Sequence, residues 1–381
     1  MSPLIRGTLQ LIKSALTGEC CALPGEFSLE EAAQLGRKHG IEALLYHGGV
    51  RCGLSKKDPG MESLYRGCWQ QILVGERQQK QLEMLLACFR ENNIRILPLK
   101  GMILRKLYPK PEMRWMGDAD ILICQEQYPL IKRILKAQGY ALAGQTDHEI
   151  AWHHPHLRLE LHTRLVPGRN RILHDYFGDG WQRAHQKKDH VYAMSPEDTL
   201  VFLVAHAAKH YTAGGIGIRQ FVDLWLFARA NGQMDQAYIH RELAKIHLDK
   251  FYACAVQMLR VWFEDAPWDA TSLEMTRFIF ESGCYGTHKN HVVAQRVKKK
   301  SKVRRILSAC FPGYGEMKLR YPWLGRWPVL LPVTWLIRGV NILLFHRKRI
   351  SNKRRDLQMA ADDKTKELQE HFEMLDLRSN L

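Results

Sequence analysis

Two apolar runs too short to be helices, "NNIRILPLKG" around residue 96 and "DADILI" at residues 118–123, interrupt a chain whose flanking stretches repeat apolar residues at helical spacing. In the first, Ile94, Ile96 and Leu97 form a strand-like run ended by Pro98; Gly101 then opens a helix through "MILRKLY" that Pro109 and Pro111 stop. "DADILI" reads as a second strand, followed by a helix around "QEQYPLIKRILKAQGY" with Gly139 as its stop. In "LRLELHTRL", Leu157, Leu159 and Leu161 alternate with Arg158, Glu160 and His162, the period of a strand with one buried and one polar face. The mixture predicts an α+β fold.

Helical signals surround this block. Ser28 with Glu31 three residues later has the capping-box pattern, and an amphipathic stretch from Tyr65 to Asn92 places Leu73, Leu82, Leu85, Leu86 and Phe89 near helical spacing. "SPEDTLVFLVAHAAKHY" starts with Ser195 as N-cap, Pro196 at the first helical position and acids in the first turn; helical patterning then continues to about Phe263. A length of 381 residues, 46% of them hydrophobic and 25% charged, allows two or three cores. The division read from these signals is a helical region over 1–93, a core over 94–194, a helical domain over 195–285, and a basic, aromatic-rich region with a polar tail over 286–381.

Nine scattered cysteines without a CxxC pair suggest neither a disulfide framework nor a zinc cage, and they fit a reducing cytoplasm. The N-terminal "MSPLIRGTLQLIKSAL" carries Arg6 and Lys13 where a signal peptide would be apolar, and reads as an amphipathic helix. The net charge of +17 is local: residues 289–355 hold 18 lysines and arginines against one acid, Glu316, and the rest of the chain is neutral. A neutral body with a basic segment indicates a local contact surface rather than a protein basic throughout.

Asp118 and Asp120 stand at the front of an apolar run. Two apart in a strand, they would share a face at about 7 Å between Cα atoms, and their mutual repulsion favours a cation between them. Hard oxygen ligands suit Mg²⁺. A bare Asp-x-Asp is more often just a pair of acids where a strand begins, but its surroundings change that reading. Upstream, "LPLKG" puts Lys100 and Gly101 at a strand-to-helix junction suited to phosphate; downstream, Glu160 offers a third carboxylate. Together these are the parts of metal-assisted nucleotidyl transfer.

The stretch "LPLKGMILRKLYPKPEMRWMGDADILI" followed by "LELHTRL" resembles the uncharacterised nucleotidyltransferases of the polymerase-β-like superfamily, whose pattern is roughly "LKG…LYP…R…DxDLLV…(D)LHW". The likeness continues through "HAAKHYTAGGIGIRQFVDLWLF" and spans roughly residues 30–260. It implies a polymerase-β-like nucleotidyltransferase core, a small mixed sheet with flanking helices, between helical N- and C-terminal regions. It further implies two Mg²⁺ ions, or Mn²⁺ in their place, held by Asp118, Asp120 and Glu160. Lys100 and Gly101 would contact the triphosphate of an NTP substrate, and Arg114 would offset charge as pyrophosphate leaves. One departure bears on the metal: the family's third acid is commonly Asp, and the longer Glu160 shifts its oxygen by about one C–C bond.

His206 and His210 lie four apart on one helix face. A zinc protease would need Glu directly after the first histidine, where Ala207 stands, so the pair belongs either to a helix interface or to the nucleotide-facing side of the site. Arg219 and Asp223, also four apart, form an ion pair, or Arg219 reaches a substrate phosphate. "WHHPH", residues 152–156, reads as a polar turn near the site mouth.

"RVKKKSKVRRIL" and "HRKRISNKRR" bracket the aromatic stretch "RYPWLGRWPVLLPVTWLIRGVNILLF", too interrupted by Pro332, Arg338 and Asn341 for a membrane span. Three readings stand: a subdomain packed on the core with solvated basic ends, an anionic membrane surface reached from the cytoplasmic side (peripheral at the inner membrane), or nucleic acid. "DDKTKELQEHFEMLDLRSNL" reads as a polar helix or frayed tail. The expectation is a nucleotidyltransferase acting on a hydroxyl acceptor: a small molecule, a glycan or lipid precursor, a protein or an RNA. A non-catalytic nucleotide-binding or membrane-surface scaffold and an RNA-binding adaptor are the competing classes.

Overall fold

The computed structural model describes residues 1–20, 22–283, 311–314, 317–318, 321–345 and 362–377. Strands β1 (Ile96–Pro98), β2 (Ala119–Ile123), β3 (Ala141–Gln145), β4 (Glu149–His154), β5 (Leu157–His162), β6 (Ala184–Lys188) and β7 (Val191–Met194) form one mixed seven-stranded sheet, ordered β3-β4-β5-β2-β1-β7-β6. β2 runs parallel to β5 and β1 parallel to β7; the remaining pairings are antiparallel. This is a mixed α/β molecule.

Helices α1 (Pro3–Thr17), α2 (Leu29–His39), α3 (Glu42–Arg51) and the 33-residue α4 (Pro59–Glu91) precede the sheet. Within it fall the four-residue α5 (Gly101–Leu104), α6 (Tyr128–Ala137) and α7 (Arg171–Phe177). After it come α8 (Pro196–Ala213), α9 (Ile218–Ala230), α10 (Gln236–Lys245), α11 (Asp249–Phe263) and α12 (Ala270–Ser282). The signals that start and stop them are those the sequence carries. Ser28 Oγ accepts from Glu31 N at 3.3 Å and Ser195 Oγ from Asp198 N at 3.0 Å, each satisfying a donor that the first turn leaves open. Past α6, Gly139 takes φ +80° and donates its N–H to Lys136 O at 3.1 Å.

Alternation along the strands divides the sheet into two faces. Ile96, Ile121, Ile123, Leu159, Leu161 and Trp152 point to one, where Leu85 and Phe89 of α4 and Ile131 and Leu135 of α6 close over them. Leu97 and Leu122 point to the other, into a larger core that draws on α1, α3, α8, α9 and α11. Period 2 therefore sends Asp120, Glu160 and His162 to that second face.

Four strands give little sequence signal. β3 is exposed along its whole length and β6 along nearly all of its own, so neither carries the alternation that half-burial imposes. β7 has four residues, and in β4 the buried positions Ile150 and Trp152 are flanked by Glu149, His153 and His154, which mask the alternation. "WHHPH" is not simply a polar turn: Trp152 to His154 complete β4, Trp152 is fully buried, and only Pro155 and His156 turn the hairpin into β5. Leu73, counted among the apolar positions of α4, is instead exposed.

The C-terminal stretch differs from a frayed tail. A helix at Asp362–Met374 buries Phe372, with Leu375 and Leu377 just beyond it, in the larger core. There His371 Nε2 lies 2.7 Å from the Tyr211 hydroxyl and its Nδ1 2.8 Å from Glu274 Oε1. The basic runs 296–307 and 346–355 lie outside the described residues.

Candidate active site

Strand register assembles the acids. In the parallel β2–β5 pair Asp120 stands opposite Glu160, and in the antiparallel β4–β5 pair Glu149 stands opposite His162. Partners in register share a face, so strands 40 residues apart set Asp120, Glu160, His162 and Glu149 side by side. Asp118 lies just outside the strand, in the bend before Ala119, half-buried rather than paired in the ladder.

The "LPLKG" turn is fastened to the same point. Leu99 N donates to Asp120 O at 3.0 Å, and Lys100 then adopts φ +43°, ψ −113°, a backbone region that costs a residue with a side chain about 1–3 kcal/mol. That conformation delivers Lys100 Nζ to Asp120 Oδ1 at 2.6 Å, and His162 Nε2 lies 2.8 Å from the same oxygen. Gly101 has a packing reason: a Cβ there would sit 2.8 Å from Arg114 Nη1. With only four residues, α5 offers little dipole to a phosphate.

Electrostatics sort the acids into two kinds. Burial alone would raise Asp120, but Lys100 and the His162 hydrogen bond outweigh it and hold this carboxyl well below the usual range. Asp118 is raised by burial and then by Asp120. Glu160 is pushed up to about 7, by burial first and then by Asp118, Asp120 and Glu149. The cluster thus holds more negative charge than Lys100 neutralises, the condition under which a carboxylate site takes up either a proton or a cation.

Asp120, Glu160 and His162 each present a ligand atom within 4.8 Å of the others, and His162 Nδ1 is buried without a hydrogen-bond partner among the described residues. Carboxylate oxygens from Asp118 and Glu149 lie in electrostatic range of Glu160. Two to four hard oxygen donors with one imidazole fit Mg²⁺ and fit Mn²⁺, which accepts nitrogen more readily.

Helix α8 brings cations and imidazoles over this face. Burial, then Lys100, keeps His206 neutral, and its ring lies 4.4 Å from that of His210. Between them in sequence, Lys209 is lowered to about 8 by burial and by Lys100, with Glu149 and Asp120 acting the other way. His206 lies in electrostatic range of Lys100 and His162, whereas Arg114 is engaged elsewhere: its Nη2 and Nε donate to Asp223 Oδ2 and Oδ1 at 2.8 and 3.2 Å, both side chains being buried. The Tyr108 hydroxyl donates to the same carboxylate at 2.8 Å. Asp223 is therefore paired with Arg114, not with Arg219. Arg219 Nη1 donates to Trp115 O at 2.6 Å, its buried Nε has no hydrogen-bond partner among the described residues, and its charge is felt at Asp118.

A groove of about 1360 Å³ runs beside the site between α4, α5, β7 and the end of α9, lined by Leu82, Met102, Met116, Tyr192 and Phe227 among others. Asp118, Asp120, Glu149 and Glu160 do not line it. Elsewhere, His47 Nε2 lies 3.0 Å from Glu112 Oε1 and 3.8 Å from Cys68 Sγ, a grouping that no spacing in the sequence announces. Burial pushes the Cys68 thiol up to about 11, so it remains protonated.

Residue spacing missed His162, Glu149 and Lys209. His162 was legible in principle, being two residues beyond Glu160 on its polar face. Glu149 required the β4–β5 register, and Lys209 required the docking of α8. A family model described as an uncharacterised nucleotidyltransferase matches residues 25–264 of the chain. No curated protein matches it.

Proposed function

The chain belongs to that uncharacterised nucleotidyltransferase family, and from this premise we propose that it transfers an NMP from an NTP to a hydroxyl acceptor, releasing pyrophosphate, on a polymerase-β-like core. The observation that carries the reading is the convergence of Asp118, Asp120 and Glu160 beside Lys100, with Glu160 raised to about 7 by burial and then by the neighbouring carboxylates. Asp120 is oriented from two sides by Lys100 and His162. Asp118, Asp120 and Glu160 would hold Mg²⁺, which when bound offsets triphosphate charge and lowers the pKa of the acceptor hydroxyl. Lys100 and Lys209 flank the acids and attract the phosphates, Arg219 adds positive charge next to Asp118, and neutral His206 donates or accepts a hydrogen bond without adding repulsion.

One observation favours a second reading, a nucleotide-binding scaffold without turnover: Lys100 Nζ already serves Asp120 Oδ1 as a built-in cation. The purified chain, given each of the four α-labelled NTPs with Mg²⁺ and a cell extract as acceptor source, separates the two. A catalyst transfers label and releases pyrophosphate. Binding without either product would overturn the enzymatic reading.

A further inference from the structure

Residues 311–345 contain a described unit that is ordered within itself yet shows solvent an apolar surface. Met317 and Leu324 are buried, the Tyr314 hydroxyl donates to Leu324 O at 3.2 Å, and Trp335 Nε1 donates to Pro312 O at 3.0 Å while its ring meets Phe311 edge-on at 5.1 Å. Around this small centre Val329 is 88% exposed, Leu336 71% and Trp327 65%, with Val333 and Ile337 also exposed. Val333, Leu336 and Ile337 stand at i, i+3 and i+4 on the helix Leu331–Phe345 and so share one face. None of the unit's described residues belongs to either hydrophobic core, in contrast to the helix at Asp362–Met374.

Charge narrows what such a face can meet. The described part holds Lys318, Arg326 and Arg338 and no acid, inside the 289–355 segment that carries the whole +17. A second copy would bring the same positive charge against it. Nucleic acid would satisfy the cations but leave Val329 and Leu336 in water. An anionic lipid surface accommodates both, with apolar side chains entering the boundary between headgroups and acyl chains, and lysines and arginines meeting lipid phosphates. The 15-residue helix is about 22 Å long, short of a hydrocarbon core of about 30 Å, and among the described residues no helix is long and apolar enough to cross a bilayer.

We propose that this unit docks the protein on the surface of an anionic bilayer through Trp327, Val329, Val333 and Leu336. The test uses the full chain with phosphatidylcholine vesicles, with and without phosphatidylglycerol, read by flotation and by quenching of tryptophan fluorescence with brominated lipid. Expected are flotation with the anionic vesicles alone, quenching on binding, and a loss of affinity of about tenfold or more for Leu336→Glu and Val329→Asp. Both positions are exposed, so circular dichroism should match the parent chain. Three results would overturn the proposal: no flotation with anionic vesicles; salt-sensitive binding without quenching that both variants retain; or a dimer in sedimentation that Leu336→Glu dissolves while vesicle binding is unchanged.

Discussion

Lys100 Nζ and Asp120 Oδ1 meet at 2.6 Å, although 20 residues separate them and Lys100 must adopt a positive φ to make the contact. The ion pair places a positive charge where the acids would otherwise meet a metal ion. Lys100→Met should therefore strengthen Mn²⁺ binding by about tenfold or more, since the cation no longer competes, while transfer falls because a phosphate contact is lost. The metal-free variant should melt at a lower temperature and recover when Mn²⁺ is added. Calorimetric titration and thermal melts with and without Mn²⁺ check both; unchanged Mn²⁺ affinity would show that the pair does not compete with a metal.

Asp118 gives the cleanest test of the proposed catalytic acids, because it is half-buried outside the strand and, among the described residues, its shift is set by burial and neighbouring charges rather than by hydrogen bonds. Asp118→Asn should lower the transfer rate by about a thousandfold and leave the melting temperature within a degree or two. Asp120→Asn is less informative, since it also strips the partner from buried Lys100 and His162. Pyrophosphate release by Asp118→Asn at the parental rate would remove Asp118 from the site.

Metal binding should carry a proton signature. Glu160 is raised to about 7, so the metal-free folded protein holds a proton there between the ordinary carboxylate range and about pH 7. Its contribution to stability is present at the acid end of that window and is lost as pH rises through about 7. Metal uptake runs the other way: it needs the carboxylate, strengthens as pH rises, and below pH 7 releases about one proton per ion. Titration of Mn²⁺ in two buffers of different ionisation enthalpy counts the proton, and Glu160→Gln should abolish its release.

Lys209 lies in electrostatic range of Glu149 and Asp120, with its pKa lowered to about 8 by burial and by Lys100. Lys209→Met should raise KM for the NTP by about tenfold with a smaller change in kcat, whereas Lys209→Arg should restore binding. In the parent chain KM should climb above pH 8, as the ammonium loses its proton, and this limb should be absent in Lys209→Met.

Arg114 and Asp223 are a structural pair that joins the DxD loop to α9. Both are buried and bonded through two hydrogen bonds, so Asp223→Ala, which leaves the guanidinium unpaired, should cost about 3–5 kcal/mol in denaturant unfolding. A loss below 1 kcal/mol would mean that water or a neighbour replaces the carboxylate.

Much of the site was legible in the residues. The strand beginning at Ala119, the turn at Lys100 and Gly101, the alternation of Leu157 to His162 and the cap at Ser195 each depend on interactions within about four positions, and that is the range over which side-chain pattern dictates backbone. The same period assigns Glu160 and His162 to the polar face before any partner strand is known.

Tertiary structure alone decided who meets whom. Asp223 has Arg219 one helical turn away but takes Arg114, 109 residues distant, because α9 docks with that carboxylate turned toward Tyr108 and the loop before β2. Glu149 enters the acid cluster through the register of β4 on β5, Lys209 through the packing of α8, and the charged final helix proves to bury Phe372 in the larger core. Register and docking are fixed by the summed burial of two faces, a property of the whole sheet and its helices that no short stretch of sequence contains.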